Sequence, residues 1–497
     1  MLSTALVVLG LGVAPTTAAA YETEVDATTD AQFYTLRSPY GEPTLRRRRY
    51  TQTLGLAVYG IQGDSVPYGP ELSFKARMRL DVDFGQRIEE RDPNRGAQFG
   101  DRFVPGLEQA PLDLMYAYLE GRNYAGGYLG FRLGRQYVID ALGMWAFDGA
   151  LARLTTPVFL QFEALAGFEE RGGLPLSTPR WEGDGVYRGD RTGYDYDRWP
   201  MFLEAKKPAP AWGFAIETTG VQFVHGRLSY RKVINRDTVV VAPFADAGQG
   251  FRTVGGSRVS SERLGYAVRA EANRLGALNG NVVYDFYVQR VSEYRVGLDW
   301  YTTDEITLGA EHEYYLPTFD GDSIFNWFSQ QGMSTSTGRA TFTPSRRFDV
   351  GASGGVRTFR TEGNSGQYAL NGGDRSETGT LHDLLADLGG RYRWSDGSTG
   401  LRGMLETGAR GHRVGADLTT NKNFDEGLYD TLLVLSLYDW SDELRPERGV
   451  TSFTYVVGGG FYPLEQTRLG LEWEHSINDL VGQRFRVLAT LDVAVLR

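Results

Sequence analysis

The sequence contains no cysteine, and beyond its N-terminus it contains no long apolar segment. Without cysteine it cannot form disulfides, thiolate metal sites or a cysteine nucleophile. The mean hydropathy of -0.34, with no run approaching the roughly 20 apolar residues of a spanning helix, excludes a bundle of membrane helices. The net charge of -10 offers no basic footprint for nucleic acid. The 497 residues are enough for several soluble domains or for one large β-barrel.

The N-terminus has the pattern of a secretory signal. An apolar stretch from Ala5 to Ala14 is followed by small residues that end at Ala20. This resembles the h-region and cleavage site of a signal peptide, with a buried N-terminal element as the alternative. We therefore predict a signal peptide over residues 1–20, a periplasmic lead-in over 21–43 and an outer-membrane β-barrel over 44–497.

Strict alternation of apolar and polar residues is the main signal in the rest of the chain. Residues 72–85 read LSFKARMRLDVDFG, so every second side chain is apolar and those between are mostly charged. Successive side chains of a strand point to opposite faces, so one face of this strand is apolar and the other is charged. The pattern recurs along nearly the whole chain, for example over residues 129–133, 158–166, 294–300, 467–473 and 485–495.

Alternating segments of about ten residues are typical of a transmembrane β-barrel, whereas strands of soluble sandwiches usually have about five to six. The predicted fold is an all-β, transmembrane antiparallel barrel of about 18 strands, within a range of 16 to 20. Spans 199–235, 334–359 and 411–440 are ambiguous. Leu112, Leu114, Tyr116 and Tyr118 are expected on one apolar face. Aromatic residues at segment ends would form interfacial belts; they are Trp300, Tyr301, Tyr314, Tyr315, Trp394, Trp440 and Tyr462.

Five polar connections rich in Gly, Asp, Arg and Pro are predicted to be solvated loops. The longest, residues 169–198, could fold into the barrel or lie at the cell surface. The predicted loops are residues 86–109, 169–198, 236–257, 318–334 and 360–380.

The polar faces carry many basic residues, and arginine greatly outnumbers lysine. Planar guanidinium groups suit bidentate contacts with carboxylates or phosphates, so a ladder of them could guide an anionic polymer or solute. Alternatively, these residues pair with the interleaved carboxylates and stiffen the wall. The candidate lumen residues are Lys75, Arg77, Arg79, Arg132, Arg269, Arg295, Arg402, Arg410, Arg468, Arg484 and Arg486.

The sequence gives no support for an enzyme. None of the five histidines lies in an HExxH arrangement, and there is no GxSxG elbow, P-loop or dinucleotide fingerprint. We therefore predict no catalytic residues, no metal site and no cofactor.

Residues 129–171 carry a family resemblance. A strand that ends in LGRQ (133–136), followed by a loop and by DGA (148–150), resembles porins of the alginate-export type. The resemblance implies an 18-stranded barrel that secretes exopolysaccharide with inner-membrane synthesis machinery and periplasmic polysaccharide-export proteins. It covers about a tenth of the chain.

Three functions follow from this reading. The first is an exopolysaccharide-secretion porin, the second a general or solute-selective diffusion porin with a constriction loop, and the third a structural or adhesion barrel. The expected partners are the lipid bilayer and lipopolysaccharide outside the barrel, and a polysaccharide or small solute within it. No nucleic acid is expected.

Overall fold

The structure, a computed structural model, consists of antiparallel β-strands and their connections. No helix within the described part of the chain is long and apolar enough to cross a membrane. The structure describes residues 21–37, 43–63, 69–83, 86–87, 112–170, 208–236, 239–241, 252–318, 332–361, 379–409, 411–442, 445–479 and 482–496. The predicted signal peptide, residues 1–20, lies outside these ranges.

The strands form a closed barrel. Its sheet contains 23 strands, of which β4 only extends β3, so the described wall has 22 strands rather than the expected 18. The strands are β1 Glu22–Arg37, β2 Pro43–Tyr59, β3 Glu71–Asp83, β4 Gln86–Arg87, β5 Leu112–Asn123, β6 Leu129–Asp140, β7 Gly143–Thr155, β8 Leu160–Glu169, β9 Ala209–Thr218, β10 Val224–Asn235, β13 Arg258–Ala272, β14 Gly276–Asp285, β15 Arg290–Tyr301, β16 Ile306–Tyr315, β17 Met333–Ser345, β18 Phe348–Thr361, β19 Gly379–Trp394, β20 Gly397–Gly408, β21 Gly411–Phe424, β22 Tyr429–Asp442, β23 Arg445–Leu464, β24 Thr467–Asn478 and β25 Gly482–Leu496. A separate small hairpin consists of β11 Val239–Val241 and β12 Arg252–Val254.

The wall closes where β1 pairs with both β2 and β25. The prediction that residues 21–43 form a periplasmic lead-in is therefore wrong, because Glu22–Arg37 is a full barrel strand. Its outer face carries Thr29 and Thr35 between apolar residues, so the alternation is weak in the sequence. The ambiguous spans also hold strands: 199–235 contains β9 and β10, 334–359 most of β17 and β18, and 411–440 β21 and most of β22.

The register separates two faces. On β19, Leu384 and Leu388 lie on one face and are 58% and 61% exposed, while Asp383 and Asp387 lie on the other. The charged face is the concave one. Ion pairs on it join strands that are separated by a third strand, as Arg357 of β18 and Glu406 of β20 do, and the turn between β6 and β7 reaches along it to Gly265 of β13. The apolar face therefore lies outside. A closed barrel with an apolar exterior satisfies its backbone hydrogen bonds within the wall, as a membrane-spanning chain must.

The two ends of the barrel differ in the length of their connections. We call the end where β1 begins, at Glu22, the turn end, and the end where β1 finishes, at Arg37, the loop end. Connections at the turn end are short, the longest being residues 60–70. All five predicted polar loops connect strands at the loop end, where they follow β4, β8, β10, β16 and β18. Most residues of these predicted loops lie outside the described residues, and the range 236–257 also contains the strands β11 and β12.

A one-residue irregularity in β5 changes which side chains face inward. The register with β3 shifts between Arg77 and Met78, so Met78 pairs with Leu114 but Arg77 pairs with Tyr116. A β-bulge of this kind moves all following side chains to the opposite face. Tyr116 and Tyr118 therefore face the lumen, and the prediction that they share the outer face of Leu112 and Leu114 is wrong.

The two faces of β19 should respond differently to a buried charge. Leu388→Arg places a guanidinium on the lipid-facing surface, and we expect it to lower the free energy of unfolding by about 2–4 kcal/mol if the site is near the bilayer midplane. Leu385→Arg is the matched control, because Leu385 lies on the same strand but faces the lumen. Denaturant titration of the barrel in lipid vesicles measures the free energy of unfolding of both variants. An equal loss of stability in the two variants would contradict the assignment of faces.

Candidate functional site

The hairpin formed by β6 and β7 leaves the barrel wall before it reaches its tip. The pairing of β6 with β5 stops at Arg135, which lies opposite Ala117, and the pairing of β7 with β8 stops at Phe147. Residues 136–146 pair as strands only with each other, and the Glu170 N–H donates one further backbone hydrogen bond to the Ala146 carbonyl oxygen at 3.1 Å. This segment, which we call the β6–β7 tip, has no strand pairing with the neighbouring wall and can bend.

The β6–β7 tip lies inside the barrel and contacts strands beyond its neighbours. The Arg231 Nη2 atom on β10 donates a 3.1 Å hydrogen bond to the Leu142 carbonyl oxygen. A Cβ atom built on Gly265 of β13 would lie 2.7 Å from Leu142 Cδ2, so only glycine leaves room for this leucine. A turn at residues 141–142 therefore crosses the inner faces of β8, β9 and β10 to reach β13.

Apolar side chains pack the β6–β7 tip against the wall. Phe147 is fully buried, its ring stacks on Trp145 at 4.7 Å, and the Arg231 guanidinium lies 5.0 Å from the Trp145 ring centroid. The Trp145 indole N–H donates to Glu169 at 3.1 Å. Burial of these rings is the main force that holds the segment inward. The full cluster is Val138, Trp145, Phe147, Leu151, Leu165, Ala209, Ala211 and Val233.

The LGRQ and DGA stretches form the base of this hairpin. Gly134 has a φ of +127°, and a Cβ atom there would meet the Ala117 carbonyl oxygen at 2.3 Å, so the bend requires glycine. Arg135 makes a bidentate pair with Asp148 through its Nε and Nη2 atoms, at 2.7 and 2.9 Å. Its Nη1 atom also donates to Glu170 at 3.0 Å. The two stretches thus fix the point where the hairpin turns inward.

The opposite face of the β6–β7 tip is open to the lumen. Ile139 is 69% exposed and Met144 is 42% exposed, and the two residues pair directly across the hairpin. Tyr137 on the same face lies 5.9 Å, between ring centroids, from the lumen-facing Tyr116. A partly apolar surface therefore projects into an otherwise charged lumen on this side.

Nearer the turn end, buried carboxylates bind several cations each. Glu120 is 2% exposed and accepts from Lys75 at 3.2 Å, Arg122 at 2.7 Å and Arg132 at 2.8 Å. Three cations therefore share one buried carboxylate in this part of the lumen.

The ion pairs continue around the wall toward β10. Glu163 is 3% exposed and accepts from Arg153 at 2.8 Å and from Arg227 at 2.7 Å. Arg227 also donates to Glu217 at 2.6 Å. The result is a band of alternating charge that runs around the wall from β7 to β10 at the turn end.

The predicted lumen residues lie on the inner register of the strands, except that Arg410 falls outside the described residues. Nine of the described members each have a carboxylate partner within 3.2 Å, and Arg79 is buried, at 5% exposure. The structure therefore brings the predicted charges together as ion pairs. The pairs are Lys75–Glu120, Arg77–Asp26, Arg132–Glu120, Arg269–Glu271, Arg295–Glu311, Arg402–Asp387, Arg468–Asp430, Arg484–Glu474 and Arg486–Glu474.

No cluster of three or more metal-ligating side chains occurs among the described residues. His312 and His382 lie on the outer register near the loop end, where they contact Ser336 and Thr358 hydroxyls. They therefore do not face the lumen.

Two lumen features were not found from the sequence. The prediction of a loop between LGRQ and DGA is wrong, because β6 continues to Asp140 and β7 begins at Gly143, and the docking partners of the β6–β7 tip lie far away in the chain. Trp440 was expected at an interfacial belt, but it pairs with Arg413 on the inner register. The register irregularity between β22 and β23 comes after Trp440, so it does not change the face on which Trp440 lies.

No protein-family model matches the sequence, and no curated protein matches it. Solved structures that it resembles include OpdK of Pseudomonas aeruginosa, at 8% identity, 96% coverage of this chain, 99% of that chain and a TM-score of 0.42. OccAB1 of Acinetobacter baumannii gives 10% identity, 96% coverage of both chains and a TM-score of 0.41. OccD3 of P. aeruginosa gives 9% identity, coverage of 95% and 91% and a TM-score of 0.40. The expected large barrel is confirmed by its own strand pairing, whereas the resemblance to alginate-export porins is not confirmed.

Proposed function

We propose that this chain is an outer-membrane channel for small hydrophilic solutes, narrowed by the β6–β7 tip. The apolar exterior fits a bilayer with lipopolysaccharide in its outer leaflet. Barrels of this class have short periplasmic turns and longer extracellular loops, so the loop end faces outward and the turn end faces the periplasm.

The observation that carries this proposal is the docked β6–β7 tip. Barrels of 16–18 strands already leave an aqueous channel, and 22 strands enclose a wider space. A general solute channel needs a local narrowing to discriminate by size and polarity, and Leu142 docked on Gly265 places one inside the wall. The narrowing is built from packed apolar residues, so it has a fixed position.

The lumen charges also favour solutes over an anionic polymer. An arginine ladder for a polymer would present guanidinium groups that are free to exchange from one anion to the next. Here nine of the described candidates are bound to carboxylates, as in Arg402–Asp387 at 2.5 Å and Arg295–Glu311 at 2.7 Å. Paired charges keep the wall wet and rigid while they bind a passing polymer weakly. Secretion of exopolysaccharide is therefore the less favoured function.

Removal of the β6–β7 tip should widen the channel. Gln136 lies opposite Phe147, so an Asn-Gly pair can replace residues 137–146 as a two-residue hairpin turn. We expect higher single-channel conductance in planar bilayers, and liposome swelling with larger sugars than the wild-type channel admits. A closed wild-type channel, or equal conductance of the two forms, would contradict the proposal.

A gentler test uses two substitutions in the same segment. Leu142→Asp places a charge in the buried contact with Gly265 and should undock the β6–β7 tip, so that conductance fluctuates between the wild-type level and higher levels. Ile139→Asp adds the same charge at the exposed face and is the matched control, with steady current expected. Single-channel recordings distinguish them, and steady wild-type current in Leu142→Asp would show that docking does not set the pore size.

Neutralising Glu120 should change ion selectivity. Glu120→Gln leaves Lys75, Arg122 and Arg132 without their shared carboxylate, so we expect the reversal potential in a KCl gradient to shift toward anion permeability. Loss of one partner from a buried ion pair also costs about 3–5 kcal/mol of stability. Glu305→Gln, at an exposed turn, is the control. An unchanged reversal potential in folded Glu120→Gln would contradict a conducting path past this cluster.

A further inference from the structure

A cavity of about 510 Å³ opens into the lumen at the loop end, in a part of the wall that lies far along the chain from the β6–β7 tip. Its lining comes from the ends of β19 to β23 and combines charged groups with two aromatic rings. The residues that define it are Asp383, Glu406, Arg413, Tyr438, Trp440 and Ser452, and we call it the Arg413 cavity.

Arg413 differs from the paired arginines of the lumen. Among the described residues, no carboxylate lies within 4.0 Å of its guanidinium, whose contact is with the ring of Tyr438, at 5.1 Å from the centroid. The side chain is exposed. A guanidinium that stacks on an aromatic ring keeps its N–H donors available at its edge. It is therefore a fixed positive charge whose donors point at solvent or at a ligand.

The carboxylates around Arg413 are already engaged. Glu406 accepts from Arg357, and Asp417 accepts from the Tyr438 hydroxyl and, at 2.6 Å, from Ser436. Asp383 lies in the lining but is only 1% exposed, so its oxygens offer a ligand almost no surface. Among the described lining residues, Arg413 is therefore the fixed charge whose hydrogen-bonding groups stay open to a ligand.

Trp440 supplies an apolar surface beside this charge. It pairs directly with Arg413 across β21 and β22, and directly opposed side chains of an antiparallel sheet lie about 4.5–5.5 Å apart at their Cβ atoms. Trp440 is only partly buried, so its ring can receive the flat face of a solute. Large aromatic surfaces beside a single directed polar group are the usual composition of a small-molecule site.

We propose that the Arg413 cavity binds small ring-shaped carboxylates as they enter from the loop end. The carboxylate accepts two hydrogen bonds from the Arg413 guanidinium, and the ring lies on Trp440. The Ser452 hydroxyl is in the lining as a further polar contact. This inference rests on the proposed channel and names a class of solute that the channel would concentrate. Sugar acids and aromatic acids share this chemistry.

Calorimetric titration of the intact barrel in detergent tests the site directly, with glucuronate, glucose, benzoate and benzyl alcohol as probes. We expect at least one carboxylate to bind measurably better than its neutral analogue. Arg413→Gln should weaken that binding about tenfold to a hundredfold, since a hydrogen bond to a charged group contributes about 1.5–3 kcal/mol. Trp440→Leu should weaken it as well. Binding of glucuronate alone would assign sugar acids, and binding of benzoate alone would assign aromatic acids.

Arg339→Gln is the matched control, because Arg339 also faces the lumen with 44% of its side chain exposed but is paired with Asp299 at 2.5 Å. Its carboxylate affinity should equal that of the wild type. No preference for any carboxylate over its neutral analogue, or equal affinity in Arg413→Gln, would overturn the assignment. Conductance of the same preparations separates this result from the proposed function: a conducting barrel without carboxylate binding overturns the Arg413 cavity alone, whereas a closed barrel overturns the channel.

Discussion

Closure of the sheet is the constraint on which the rest of the structure depends. In hydrocarbon every backbone N–H and C=O must find a partner within the protein, so a strand wall has no tolerated edge. The pairing of β1 with β25 removes the last edge of this wall. Once the wall is closed, alternation leaves only two environments, and each residue on a regular strand faces either lipid or lumen. The apolar exterior and the charged interior are consequences of this division.

The interior then faces its own constraint, since charges confined beside a low-dielectric wall are most stable when they are paired. Glu120 and Glu163 show the result, each nearly inaccessible and each surrounded by cations. Against this background two features depart from the rule. The β6–β7 tip brings apolar surface into the lumen, and Arg413 keeps its guanidinium edge available. Both lie toward the loop end, where a solute from outside would meet them first.

The period of two in the sequence was enough to predict the barrel and the outward faces of most strands, because these depend on local alternation. The strand count could not be obtained in the same way. In β1 threonines replace apolar residues on the outer face, and in β17 the outer face carries Ser336 and Gly338. Such strands become recognisable only through the neighbours with which they pair.

The site was less predictable than the fold. The inward positions of the lysine and arginine candidates followed from alternation, but two of their partners lie two strands away, Asp26 for Arg77 and Asp430 for Arg468. The prediction placed Tyr116 and Tyr118 on the outer face. They face the lumen because a single β-bulge reverses the alternation. The fit of Leu142 against Gly265 depends on a contact between distant residues, and no local pattern encodes it.

Because the chain has no cysteine of its own, a disulfide cross-link tests the docked β6–β7 tip most directly. The double variant Leu142→Cys with Gly265→Cys should cross-link rapidly under mild oxidation in the folded barrel, giving a gel shift that reductant reverses. The pair Leu142→Cys with Gly338→Cys, whose second residue lies on the outer face of β17 with open space around it, should remain uncross-linked. Absence of the Leu142–Gly265 cross-link in a folded barrel would contradict an inward-docked hairpin and with it the proposed constriction.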